Sequence, residues 1–137
     1  MKINILLPYK EKFDENKASS VSITVKNNLS YSKFLSHIKV YGQDVEKPLF
    51  KNNFEGIKYS ILSLKSKNVF LAQKMISIMS KDISKKQLIE IHNRPYLIEK
   101  IAKNSNYPIT LFLHNDPQTM KGSKLVRDRK KILKKCE

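Results

Sequence analysis

The sequence predicts an α/β domain of the Rossmann-like, doubly wound type, with a mainly parallel sheet flanked by helices. Three observations carry this. Short apolar blocks such as INILL (3–7) and PITLFL (108–113) alternate with stretches whose apolar residues recur every three or four positions. The blocks are apolar on consecutive residues, the pattern of strands covered on both faces. The connections between them are short enough that each strand leads to the next through a single crossover.

Taken in order, residues 3–7 read as a strand closed by Pro8, and the charged stretch Lys10 to Lys17 as a loop. Ala18, Val21, Val25 and Leu29 form one helical stripe that fades near Lys33, with Ser19 or Ser20 as N-cap. Residues 37–41 read as a strand stopped by Gly42, and 42–56 as loop, with a short strand near Gly56–Tyr59. A second helix is expected over Asn68–Ile83, where Ala72, Met75, Met79 and Ile83 hold the helical spacing. QLIEI (87–91) reads as a strand. His92-Asn93-Arg94-Pro95 follows it, and Pro95 suits the first turn of a helix running through Leu97, Ile98 and Ile101. The strand at 108–113 is broken by His114-Asn115-Asp116-Pro117, and a last basic helix spans Lys124–Lys135 with Ser123 as its cap.

Composition narrows the function classes. The 137 residues suit one domain, and 40% apolar content is enough for a core. No apolar run approaches the ~20 residues needed to cross a bilayer, and the N-terminal run is too short for a signal-peptide core. The cytoplasm is therefore the expected compartment. Cys136 is the only cysteine, which excludes an internal disulfide, and three histidines are poor material for a zinc site. The net charge is 27 − 12 = +15, from 24 Lys and only three Arg (Arg94, Arg127, Arg129). Specific nucleic-acid readers favour Arg, so this surplus points to a solvated surface or an anionic membrane before nucleic acid. The densest patch is 121–137, eight bases against two acids.

In open parallel sheets ligands bind beyond the carboxyl ends of the strands. His92 and His114 each fall directly at such an end, each followed by Asn. That pairing marks one rim as the candidate site, whereas His37 reads as surface. The chain has no GxGxxG, no GxxxxGK[ST] and no GxSxG, so dinucleotide, P-loop and serine-hydrolase chemistry lack their motifs.

At these residues the sequence resembles a known family. IEIHNRPYLIEKIAKNSNYPITLFLHNDPQTMKGSK (89–124) is similar to the N-terminal half of retaining glycosyltransferases of family 4, of the bacterial branch that decorates lipopolysaccharide core and other surface glycans. INILLPYKEKF and ASSVSITVKNNL are similar to the family's first strand and helix, so the likeness spans essentially the whole chain. HNRP followed by a strand ending LHNDP is its most specific part.

The resemblance implies the N-terminal half of a GT-B fold, in which this domain holds the acceptor. A C-terminal domain, absent from this chain, would bind the nucleotide-sugar donor and supply a paired-glutamate motif. His114 then matches a catalytic histidine that hydrogen-bonds a sugar hydroxyl and steadies an oxocarbenium-like transition state. Asn115 and Asp116 would shape the cleft. His92, Asn93 and Arg94 would contact the acceptor, Arg94 through a phosphate. Ser19 and Ser20, where the family has a glycine-containing turn, would offer a helix N-terminus to the donor diphosphate. Lys124, in the loop Lys121–Lys124, would add phosphate or acceptor contacts. No metal and no cofactor is implied. The expected partners are a nucleotide-sugar, a glycan or lipid-linked acceptor and the inner face of an anionic membrane, and the chain alone is expected to be inactive. The alternatives are a small basic module for nucleic acid or anionic membrane, and a stand-alone regulatory domain.

Overall fold

Five parallel strands make one sheet: β1 (Lys2–Leu6), β2 (Ile38–Gln43), β3 (Phe54–Ile57), β4 (Gln87–His92) and β5 (Ile109–Phe112), in the order β3-β2-β1-β4-β5. The computed structural model describes residues 1–82 and 86–136. Four helices connect or follow the strands: α1 (Ser20–Ser30), α2 (Lys67–Met79), α3 (Tyr96–Ala102) and α4 (Val126–Leu133). The chain winds outward from β1 through β2 to β3, and α2 then returns it to β4 on the other side of β1. Because such crossovers are right-handed, reversing the direction of travel puts α1 on one face and α2 and α3 on the other.

Side-chain alternation in the strands feeds both faces. In β1, Ile5 joins the core under α1, with Phe13, Val21, Val25, Leu29 and Val40, while Leu6 joins the core under α2 and α3. There Leu71, Met75, Leu97 and Ile98 pack on Ile89, Ile91 and Ile109. The sheet is therefore doubly wound, as the apolar blocks predict. The α1-side core contains no residue of β4 or β5. Among the described residues no helix is long and apolar enough to cross a membrane.

The elements depart from the sequence reading at four places. Gly42 does not stop β2; it lies inside the strand, paired with Gly56, and a Cβ there would sit 3.4 Å from the Phe54 ring. The short strand expected near Gly56–Tyr59 begins earlier, at Phe54, because Phe54 and Ile57, three residues apart and so on opposite faces, reach the two cores. α2 ends at Met79, and the predicted Ile83 lies outside the described residues. Ser123 is not the cap of the last helix, which starts later with Leu125 as its N-cap residue. The Ser123 hydroxyl is buried and donates instead to the carbonyl of Pro117. Ser19 does occupy the N-cap of α1, but its Oγ pairs with Ser22 Oγ at 3.1 Å and caps no backbone N–H.

Candidate functional site

The order of strands reverses between β1 and β4, the topological switch point where parallel sheets open a crevice. β4 ends at His92, and its alternation gives that residue its surroundings. Ile89 and Ile91 turn into the α2/α3 core, so Glu90 and His92 share the opposite face. Asn93 follows with φ 51°, a left-handed conformation that Asn tolerates better than most residues and that ends the strand abruptly. Its N–H donates to the carbonyl of Phe112 (2.9 Å), and its Oδ1 accepts from the N–H of His114 (2.8 Å). One buried asparagine thus ties the loops after β4 and β5 together.

That tie brings the two histidines into contact. His92 Nδ1 lies 2.7 Å from His114 Nε2, and His92 Nε2 lies 2.8 Å from Glu90 Oε1. The two rings are within 22° of coplanar with centroids 5.0 Å apart, the arrangement of an edge-to-edge hydrogen bond. The other neighbour of His92 is the Phe112 ring, 5.4 Å away and nearly parallel. His92 is 1% exposed and Glu90 half-buried, whereas His114 is exposed.

Two proton arrangements satisfy these bonds, and in both His92 Nε2 donates to the Glu90 carboxylate. A neutral His92 accepts at Nδ1 from His114 Nε2, whereas a protonated His92 donates from Nδ1 to it; His114 Nδ1 stays outside the pair either way. Desolvation, and then the neighbouring His92, lower the His114 pKa below the ordinary histidine value; the charges of Glu11 and Glu90 pull it upward. Glu11, in the loop after β1, keeps Oε2 buried with no hydrogen-bond partner among the described residues. The rim therefore offers an imidazole whose Nδ1 can hydrogen-bond a hydroxyl, backed through His92 by the Glu90 carboxylate and near that of Glu11.

The remaining predicted residues divide. Arg94 is half-buried beside the pair; its Nη1 donates to the carbonyl of Asn93 at 2.7 Å, and it makes no ion pair among the described residues. Asn115 is exposed in the same loop. Asp116 has a structural task, since its Oδ1 accepts from the N–H of Gln118 (2.8 Å) and caps the 3-10 turn Pro117–Thr119. Lys124 is exposed, and its carbonyl accepts from Arg129. Among the described residues no hydrogen bond or ion pair joins Lys124, Ser19 or Ser20 to the histidines.

Two participants lie outside the candidate residues that the sequence offers, Glu90 and Glu11. Glu90 had a signal, because it stands two residues before His92 in QLIEIH and so shares its face. Glu11, within KEKFDE, had none. Among the described residues, no three His, Cys, Asp or Glu side chains gather where they could hold a metal ion. Compared with protein-family models, with curated proteins and with solved structures, the chain matches none.

Proposed function

We propose that this chain is the acceptor-side domain of a retaining glycosyltransferase, which binds a surface-glycan or lipid-linked acceptor at the rim formed by β4 and β5. The observation that carries the reading is the Glu90–His92–His114 chain of hydrogen bonds at the carboxyl ends of two parallel strands. A sugar hydroxyl is both donor and acceptor. His114 Nδ1, the ring nitrogen left outside the histidine pair, makes a hydrogen bond with it as acceptor or as donor, and Asn93 holds that ring in place through the loop backbone. Arg94 has guanidinium hydrogens left for a phosphate on the acceptor. The family resemblance of HNRP and LHNDP supports the same assignment from the sequence side.

On this reading the nucleotide-sugar donor sits on a second domain, which also neutralises the leaving diphosphate. His114 faces the transferred sugar and stabilises its developing positive charge. Ser19 and Ser20, at the start of α1, remain the candidates for the diphosphate side. The excess of lysine suits a protein working at the cytoplasmic face of an anionic membrane, where lipid-linked acceptors are presented.

Isothermal titration tests the reading. The chain is titrated with phosphorylated and lipid-linked oligosaccharides, and separately with duplex DNA. Saturable glycan binding that His114→Ala weakens about tenfold is expected, with DNA binding weak and steeply salt-dependent. Tight DNA binding indifferent to His92 and His114, with no glycan bound, would replace the proposal by a nucleic-acid-binding module.

A further inference from the structure

We propose that the loop between β3 and α2, residues 58–66, is a membrane-inserting tip that docks the domain on an anionic lipid surface. The proposal rests on the reading that the chain works at such a membrane, and it names the surface that makes the contact. Three aliphatic side chains of this loop touch almost nothing: Ile61 is 94% exposed, Leu62 93% and Leu64 104%. Single exposed aliphatics are ordinary, but three within four residues on one protruding turn are not.

Their exposure is built into a braced loop. The Tyr59 hydroxyl reaches back to the carbonyls of Ser63 (3.0 Å) and Lys65 (2.9 Å), and the N–H of Ser63 donates to Ser60. The Tyr59 ring packs edge-on against Phe70 (5.1 Å) and Tyr9 (6.0 Å), and Asn68 Oδ1 accepts from the N–H of Tyr9 at 2.7 Å. The backbone is therefore pinned from both sides while the aliphatic tips point into water.

The sequence around the tip is basic, and the fold brings one carboxylate beside it, Asp44, which pairs with Lys58 at 3.7 Å. Between Glu55 and Asp82 the sequence has five lysines and no acidic residue. Lys58 and Lys65 flank the three aliphatics, and Lys67 lies over the Tyr9 ring at 4.6 Å. Apolar tips flanked by an excess of lysine, with a tyrosine at their base, match the layering of an anionic bilayer: acyl chains within, phosphates above them, aromatic side chains at the boundary. A protein partner's hot spot is built instead on Trp, Tyr and Arg in a pocket. Because all five strands are parallel, this loop lies on the same rim as His92 and His114, at the opposite edge of the sheet. A bilayer contacted there faces the rim where a lipid-linked acceptor would enter.

Vesicle binding tests the proposal. The wild-type chain, the loop variant Ile61→Ser/Leu62→Ser/Leu64→Ser, and a tail variant with Gln at Lys130, Lys131, Lys134 and Lys135 are sedimented with phosphatidylglycerol-containing and pure phosphatidylcholine vesicles. The loop variant should keep its melting temperature, since these side chains pack on nothing, and lose at least about tenfold in affinity for the anionic vesicles. The tail variant should lose less. The chain has no tryptophan, so Leu62→Trp reports insertion directly, by a blue-shifted emission that brominated lipid quenches. Wild-type binding that the loop variant retains in full, or a Trp emission unchanged on binding, overturns the loop assignment and leaves the membrane reading standing. No vesicle binding by the wild-type chain overturns both. Self-association abolished in the loop variant, without vesicle binding, would make the loop a contact between copies of the chain.

Discussion

His114 is held by neighbours that belong to another strand. Asn93 grips its backbone and His92 its ring, so its environment is set by β4 although its sequence context is β5. Glu90 and His92 together orient the His114 ring by engaging its Nε2 and leaving Nδ1 outside the pair. Removing the Glu90 charge, which raises the His114 pKa, should lower it further. Glu90→Gln is therefore expected to move the His114 midpoint to lower pH in a ring-proton NMR titration; an unmoved midpoint means the two are not coupled. The same depressed value has a consequence for stability. A histidine whose folded pKa is lowered is protonated more readily in the unfolded state, so stability falls as pH drops below the ordinary histidine value of 6.5. A melting temperature that declines between pH 7 and pH 5, with a shallower slope in His114→Gln, is the expected result. Gly122 is a second residue fixed by its surroundings. Its φ of 91° and a Cβ position 2.7 Å from the backbone nitrogen of Tyr96 leave no room for a side chain. Gly122→Ala should cost about 1–3 kcal/mol in denaturant unfolding. HNRP and LHNDP announce the rim in the sequence, and period-two alternation reaches Glu90. Glu11 comes to the site only through tertiary folding.

At the level of elements, strands are legible where the apolar run is continuous, as in β1, β4 and β5, and so is the helical stripe of α1. The readings that missed have physical causes. Gly42 looks like a stop because glycine usually weakens a strand, yet here the ladder carries it, paired in register with Gly56 between Tyr41 and Gln43. Ser123 looks like a cap, but its hydroxyl is drawn to Pro117 by the preceding 3-10 turn. The loop Lys10–Lys17 has an order that its charge conceals. Asp14 accepts from the N–H groups of Asn16, Lys17 and Lys47, and the bond from Asn16 above all holds its carboxyl below the ordinary range. Asp14→Ala should lower the melting temperature, and the loss should shrink as pH falls through the carboxylate range, because wild type loses the same contribution there. In α2, Met75 is wholly buried between the helices and the sheet. Met75→Ala should cost about 2–5 kcal/mol, read from the midpoint of urea unfolding; a loss below about 1 kcal/mol would mean that the α2 side is not the tightly packed core described.

For the whole molecule, the parallel sheet places everything of chemical interest on one rim. The histidine pair lies at the β4–β5 end and the aliphatic tip beyond β3, with the loop after β1 between them. Doubly wound topology is readable from alternation alone, because apolar blocks and helical stripes leave few other ways to bury both faces. The net charge of +15 is equally plain in the sequence, but its meaning depends on position. The basic tail is the obvious patch in one dimension. In three dimensions the lysines near Ile61, Leu62 and Leu64 accompany the most exposed aliphatic side chains of the chain's described residues. The proposed role of this rim, to receive a glycan acceptor, is open to backbone amide NMR of the chain titrated with phosphorylated oligosaccharide. Saturable shifts are expected at His92, Asn93, Arg94, His114 and Asn115, lost in His114→Ala. Shifts confined to other parts of the chain, or none with any glycan, would contradict it.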